Sequence, residues 1–168
     1  MRIADIKLND IVDTEKGIAV SVWFQGCPFR CPKCHNPQTW DFDGGYEIDE
    51  DEMIENVLSH LHDNNVKRNL SLLGGEPLCF DNRPIAADLI RAVKHNYPET
   101  KIMIWTGYDF EELTETMDFD LLCILNDTDT LITGRYEDDK RDITLHLRGS
   151  RNQKIFDKTE LGWKERNG

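Results

Sequence analysis

The 168-residue sequence is short of basic side chains, long apolar runs and repeats, and each shortage closes off a class of protein. Lys and Arg number 20 against 32 Asp and Glu, a formal charge of -12 with a pI near 4.8. A footprint for nucleic acid is therefore lacking, and an anionic membrane surface would repel the chain. No apolar stretch approaches the roughly 18 residues of a membrane span. Cysteine is sparse and odd in number, five in all, which does not suit a framework of paired disulfides. No charged-then-apolar leader precedes Met1-Arg2-Ile3-Ala4, so the sequence reads as that of a cytoplasmic protein in a reducing compartment. Paired carboxylates or a Ser-His couple at motif spacing are missing too, which leaves acid–base and serine-hydrolase chemistry without a seat.

What is present is unevenly spread. Nine acids and no Lys or Arg fall between Asp41 and Val66, and eight more, again without a base, between Asp109 and Gly134. Residues 135–168 hold nine basic against seven acidic side chains, a +2 tail on a -14 body. Solvated helix faces account for most such runs, although a partner could read the two regions differently. The length suits one domain over residues 1–168, burying about 68–70% of the unfolded chain's surface.

Ile18 to Phe24 reads as a buried strand that ends at Gln25-Gly26. Asp49 and Glu52 form a capping box for a helix near 50–62, with Met53, Ile54, Val57, Leu58 and Leu61 at helical spacing. Leu70 to Leu73 is a short strand stopped by Gly74-Gly75, and Pro84 opens a helix through Ile85, Leu89, Ile90 and Val93. Ile102 to Trp105 makes the next strand, and Asp109 with Glu112 caps a short helix. Leu121 to Leu125 and Leu131 to Ile132 read as further buried strands, and Ile143, Leu145 and Leu147 alternate with Thr144 and His146. Strands alternating with helices predict an α/β fold of right-handed βαβ units around a mostly parallel sheet. A closed eight-stranded barrel typically needs ~250 residues, so an open partial (βα) barrel is expected. Residues from about Asp157 onward read as a loosely attached tail.

The chemistry concentrates in Gly26-Cys27-Pro28-Phe29-Arg30-Cys31-Pro32-Lys33-Cys34-His35-Asn36, three thiols in eight residues at spacings of four and three. Thiolates are soft ligands suited to zinc or iron–sulfur, and the two prolines favour a bent loop on which the sulfurs converge. The loop follows a predicted strand, which in a parallel sheet places it at the carboxyl edge where ligands bind. A closed zinc site wants four protein ligands, whereas a four-iron cluster on three cysteines leaves one iron open. His35 is the only nearby candidate for a fourth zinc ligand, awkwardly adjacent to Cys34, and Cys79 and Cys123, which could approach in space, read as buried small hydrophobes. Leu72-Leu73-Gly74-Gly75-Glu76-Pro77 also ends a predicted strand. Its glycines allow close backbone approach, and Glu76 offers a carboxylate suited to an ammonium or sulfonium at the same edge.

Together, the three-cysteine loop and Gly-Gly-Glu-Pro resemble the radical S-adenosylmethionine superfamily, and Cys34-His35-Asn36 with Thr39-Trp40-Asp41 is similar to the activases of glycyl radical enzymes. Trp105-Thr106-Gly107-Tyr108, Thr133-Gly134-Arg135-Tyr136-Glu137 and Arg148-Gly149-Ser150-Arg151-Asn152-Gln153 narrow the resemblance to the family that activates anaerobic ribonucleoside-triphosphate reductases. The resemblance implies that Cys27, Cys31 and Cys34 hold a [4Fe-4S] cluster whose open iron chelates S-adenosylmethionine. It implies that Glu76, beside Gly74 and Gly75, accepts a hydrogen bond from the methionine amino group, and that backbone around Lys33 and His35 meets the adenine. Asn36 would help hold the cofactor, with Thr106 as a polar contact to it and Asp129 as a cofactor or cation contact. The implied partners are the glycyl radical subunit of the reductase and an electron donor protein.

Two departures from the family pattern stand out. Lys33 occupies the place before the third cysteine where most of the superfamily has an aromatic residue. Upstream, Asp13-Thr14-Glu15-Lys16-Gly17-Ile18-Ala19 keeps only a glycine of the usual Asp/Asn-Gly-Pro-Gly-x-Arg stretch. For Arg148, Arg151 and Gln153, a terminal strand with a solvated turn stands against a role in partner docking or closure. The alternatives in function are a radical S-adenosylmethionine enzyme acting on a small molecule, activation of a different glycyl radical enzyme, and a non-enzymatic zinc-binding interaction module.

Overall fold

A computed structural model describes residues 1–167. Twelve regular elements follow the chain: β1 (Arg2–Asp10), β2 (Ala19–Phe24), β3 (Tyr46–Glu47), α1 (Glu50–Leu61), β4 (Asn69–Gly74), α2 (Arg83–Asn96), β5 (Ile102–Trp105), α3 (Phe110–Thr114), α4 (Phe119–Asp127), β6 (Thr130–Thr133), β7 (Lys154–Thr159) and β8 (Gly162–Glu165). All eight strands join one open sheet in the order β3-β1-β2-β4-β5-β6-β7-β8. The α/β expectation holds, but the mostly parallel sheet does not. Only the β2-β4-β5-β6 centre is parallel, and four of the seven pairings are antiparallel. The reason is the connections: helices carry the chain across the centre, while on the flanks the loops at 11–18 and 134–153 and the β7–β8 turn reverse it, so the strands they join pair antiparallel.

Alternation along the central strands separates two faces. Val20, Val22, Phe24, Leu70, Leu72, Ile102, Ile104 and Leu131 pack against α1, α2 and α4 in one continuous core. The opposite face carries Met103, Ile132 and Ile155, with Trp105 and Leu147 against them. Asp49 caps α1 by accepting from the N–H groups of Asp51 and Glu52, which is one side of the expected box, and at α3 the Asp109 N–H donates to the Glu112 carboxylate at 2.7 Å, as the capping-box spacing predicts.

Three other expectations are corrected. Leu121 to Leu125 lies in helix α4, not in a strand, because Asp118 accepts from Leu121 N–H at 2.9 Å and starts a helix whose buried residues are Leu121, Ile124 and Leu125. A five-residue apolar run carries no period, and the cap decides. Residues 143–147 form bends and turns, with Ile143 exposed and Leu147 at φ 59°. Their alternation yields no strand because the backbone is drawn aside, the Trp105 indole N–H donating to the Leu147 carbonyl at 2.9 Å. From Asp157 to Glu165 the chain is the β7–β8 hairpin, not a loose tail. Arg166 grips both Asp157 oxygens, at 2.7 and 2.6 Å, and reaches Glu15 at 2.8 Å, tying the hairpin to the β1–β2 loop. Strand β1 went unread because its register shifts, between Ile3 and Asp5 and again between Lys7 and Asp10, break the two-residue period.

Among the described residues, no helix is long and apolar enough to cross a membrane. Asp118 also pairs with Arg83 at 3.0 Å, so Asp118→Ala removes a cap and an ion pair together. The expected loss is about 1–2 kcal/mol, read as a lower urea midpoint with an unchanged slope.

Candidate functional site

The site is built where β2 and β4 end side by side. Phe24 pairs with Gly74 in parallel register, and beyond that pair the two loops stay bonded: Gly75 N–H donates to the Phe24 carbonyl and Glu76 N–H to the Gly26 carbonyl, both at 2.9 Å. Gly75 admits no side chain, since a Cβ there would lie 2.3 Å from the Gly26 carbonyl oxygen. Gly26, at φ +94°, turns the chain out of β2, and its N–H meets the Thr39 carbonyl at 2.9 Å while Cys27 N–H meets that of Trp40 at 3.1 Å. Those bonds close the cysteine loop at its base. The Asn82 amide braces the junction from below, donating at 3.0 Å to the carbonyls of both Gln25 and Glu76.

A cleft of about 520 Å³ opens above the junction and is lined by Cys27, Cys31 and Cys34, all free thiols. His35, Asn36, Gly74, Gly75, Glu76 and Thr106 line it as well. Burial raises the Cys27 and Cys31 thiols above the ordinary thiol range, so metal loading at neutral pH must release their protons. The Asn36 N–H points at Cys34 Sγ from 3.4 Å. Among the described residues, no three His, Cys, Asp or Glu side chains gather as ligands of a single ion. Three soft thiols around one cleft are a donor set that suits an iron–sulfur cluster.

Glu76 is the buried charge of the site, 1% exposed. Its Oε1 accepts from the Thr106 hydroxyl at 2.7 Å and from Leu78 N–H at 3.0 Å, and its Oε2 from Gly107 N–H at 2.6 Å. Burial pushes the carboxyl up to about 7, against the pull of the Gly107, Thr106 and Leu78 donors. Thr106 thus orients Glu76, and its hydroxyl also accepts from Tyr108 N–H at 3.2 Å. Elsewhere along the cleft wall, burial and the Asp10 carboxylate push Asp13 up to about 6.

One anticipated residue is placed elsewhere, and another, expected to serve through its backbone, turns its side chain away. The Lys33 side chain turns outward to Asp138 at 2.6 Å and does not line the cleft. Asp129 stands at the entry of β6, the opposite edge of the parallel strands, where it takes Lys101 at 2.8 Å, Ile102 N–H at 3.0 Å and Lys94 at 3.2 Å. The reason is that the stretch before it is helix α4 and not a strand, so Asp129 leads into β6.

Sequence reasoning also missed several wall residues. Gly107 supplies a donor to Glu76 and lies so close to the Phe29 ring that a Cβ would sit 2.5 Å from it. A glycine just past a strand end was the available signal. Arg135 lies over the Phe29 ring at 4.4 Å, and Tyr136 stands 5.2 Å from the His35 ring. Gln153, from the Arg-Gly-Ser ending, accepts from the N–H groups of Gly149 at 2.8 Å and Ser150 at 3.1 Å and donates to the Gly134 carbonyl at 3.0 Å. It holds that ending against the exit of β6.

An α/β sheet carrying three free thiols and a buried carboxylate at one edge describes an iron–sulfur protein, and comparison with known families agrees. Residues 15–156 match the family described as a 4Fe-4S single cluster domain, to which the chain therefore belongs. Within it, the chain is a member of the group of anaerobic ribonucleoside-triphosphate reductase-activating proteins. It is 37% identical over 150 residues to the protein of that description from Pasteurella multocida (strain Pm70), covering 88% of this chain and 92% of the relative. The counterpart from Enterobacteria phage T4 is 34% identical over 149 residues, covering 88% and 89%. That from Escherichia coli (strain K12) is 30% identical over 140 residues, covering 83% and 88%.

Gly75→Ala forces backbone against backbone, and an expected cost of about 1–3 kcal/mol should appear in chemical denaturation together with loss of bound iron. For the metal-free protein, Glu76 sets a pH dependence. Its carboxyl is neutral in the folded state up to about 7 but ionises near 4.5 when unfolded, so its stabilising effect is full below 4.5 and disappears as pH rises through 7. The expected loss over that window is roughly 3 kcal/mol, and Glu76→Gln should flatten the profile of urea midpoint against pH.

Proposed function

We propose that this chain activates an anaerobic ribonucleoside-triphosphate reductase through a [4Fe-4S] cluster on Cys27, Cys31 and Cys34 and S-adenosylmethionine bound beside it. The observation that carries the reading is the convergence of three free thiols with the buried, triply hydrogen-bonded Glu76 in one cleft. The chemistry those groups supply when bound is one-electron cleavage of the sulfonium carbon–sulfur bond, giving methionine and a 5′-deoxyadenosyl radical that takes a hydrogen atom from a glycine of the reductase.

The protein's own part is to bind, orient and exclude water. Glu76 has one lone pair to spare once its three donors are counted, and an ammonium in the cleft would meet a carboxylate already aimed by Thr106 and Gly107. Binding a cation there also holds Glu76 ionised despite its burial. His35 and Tyr136 offer flat surfaces, and Gly74, Gly75 and Gly149 line the cleft beside them. Asn36, with its N–H on Cys34, couples cofactor and cluster positions. Backbone near Lys33 and His35 is read as the adenine contact.

The same reading takes residues 1–168 as a single radical S-adenosylmethionine domain curved as an open partial barrel, working in a reducing cytoplasm and served by an electron donor protein.

The decisive experiment mixes anaerobically reduced protein, S-adenosylmethionine and the reductase. A glycyl radical signal on the reductase is the expected outcome, and its absence counts against the function. Cys31→Ala is expected to lose the four-iron complement, and a retained cluster would overturn the ligand assignment. Glu76→Gln should weaken S-adenosylmethionine binding by about tenfold to a hundredfold, the value of a hydrogen bond to a charged group, with iron content unchanged.

A further inference from the structure

The helical face carries an apolar groove for which the cleft chemistry has no use. It lies between α2 and α4, has a volume of about 290 Å³, and is lined chiefly by Ala87, Ile90, Phe119, Leu122 and Cys123. Phe119 is 72% exposed, Leu122 46%, and Met117, two residues ahead of Phe119, 90%. Large apolar side chains grouped this way on a surface mark an interaction site. The volume is at the small end of the roughly 300–1,000 Å³ found for ligand pockets, which suits anchoring side chains better than a cofactor.

Charge says what kind of partner fits. The stretch from Asp109 to Gly134, which includes all of α4, holds eight acids and no Lys or Arg. The cations at the groove are already committed: Arg91, part of its wall, pairs with Asp88, Arg83 pairs with Asp118 at 3.0 Å, and Lys158 donates to the carbonyls of Leu125 and Asn126. Glu115, Asp120 and Asp127 have no ion pair among the described residues; Glu115 is exposed beside Met117, and Asp120 and Asp127 are half-buried on α4. A second copy of this chain would bring these acids against one another.

We propose that this groove docks a cationic amphipathic helix of a protein partner. Apolar residues of that helix at i, i+3 or i+4, and i+7 seat between α2 and α4, and its Lys or Arg side chains face Glu115, Asp120 and Asp127. The site is independent of the cleft, so a partner held here leaves the cysteine edge open.

The test uses the intact protein and a synthetic Leu/Lys amphipathic helix of about 18 residues, or five turns, with a Leu/Glu helix of the same pattern as its opposite. Binding is followed by fluorescence anisotropy, and occupancy of the groove by the rate of Cys123 alkylation, resolved from the other cysteines by mass spectrometry. The Leu/Lys helix is expected to bind and slow alkylation, the Leu/Glu helix to do neither. Met117→Ser with Phe119→Ser keeps every charge and should weaken binding about tenfold, as loss of an aromatic anchor does. Glu115→Gln with Asp120→Asn keeps the apolar surface and should weaken it severalfold while reducing its dependence on salt. Circular dichroism checks that both double variants remain folded. Equal binding of the two helices, unchanged affinity in the folded serine variant, or a self-dimer that dissociates in that variant would each overturn the proposal.

Discussion

The backbone contact between Gly75 and Gly26 is the constraint on which the site depends. Two strand exits approach so closely that a single methyl group would lie 2.3 Å from a carbonyl oxygen. That approach lets Glu76 N–H reach the Gly26 carbonyl and fixes the cysteine loop against the Gly-Gly-Glu-Pro turn. The loop itself contains little regular structure. Its position comes from backbone bonds at its base, from the Gln25 side chain donating to the carbonyls of Gln38 and Asp41, and from Asn82 below.

Once the two loops are bolted together, the buried carboxylate becomes tolerable. An ionised group at 1% exposure is costly without partners, and three donors from two different segments are gathered around Glu76. Those donors offset only part of the penalty, which leaves the carboxyl near 7 and gives it a strong preference for a cationic neighbour. Burial of the thiols acts in the same direction, since Cys27 and Cys31 resist ionisation until a metal takes the proton's place. The metal-free cleft is thus electrostatically unsatisfied in a way that soft metal and an ammonium would jointly relieve.

Local chemistry made much of this legible in one dimension. The caps at Asp49 and Asp109 and the central apolar strands act through neighbours close in sequence, so the elements they define were readable. The thiol spacing and the glycines of the Gly-Gly-Glu-Pro turn were readable for the same reason. Errors arose where distant partners decide. The run Leu121 to Leu125 has no period of its own, and Asp118 makes it a helix; misplacing it put Asp129 at the wrong edge. Register shifts concealed β1, and the β7–β8 hairpin is held by the grip of Arg166 on Asp157 and Glu15, a pairing across 151 residues that no local pattern announces.

By itself the sequence determined the donor set: three soft thiols at close spacing and one carboxylate after a glycine pair, because ligand chemistry belongs to residue type. It also determined the charge imbalance that makes the α4 surface acidic. Only the tertiary structure decided that Thr106 and Gly107 hold Glu76, that Lys33 turns outward to Asp138, and that Asp129 is paired with lysines at the far edge. It also decided that the flanks of the sheet run antiparallel. Those outcomes depend on which segments lie side by side after the chain has crossed the sheet, and contact between residues far apart in sequence is a property of packing rather than of composition or spacing.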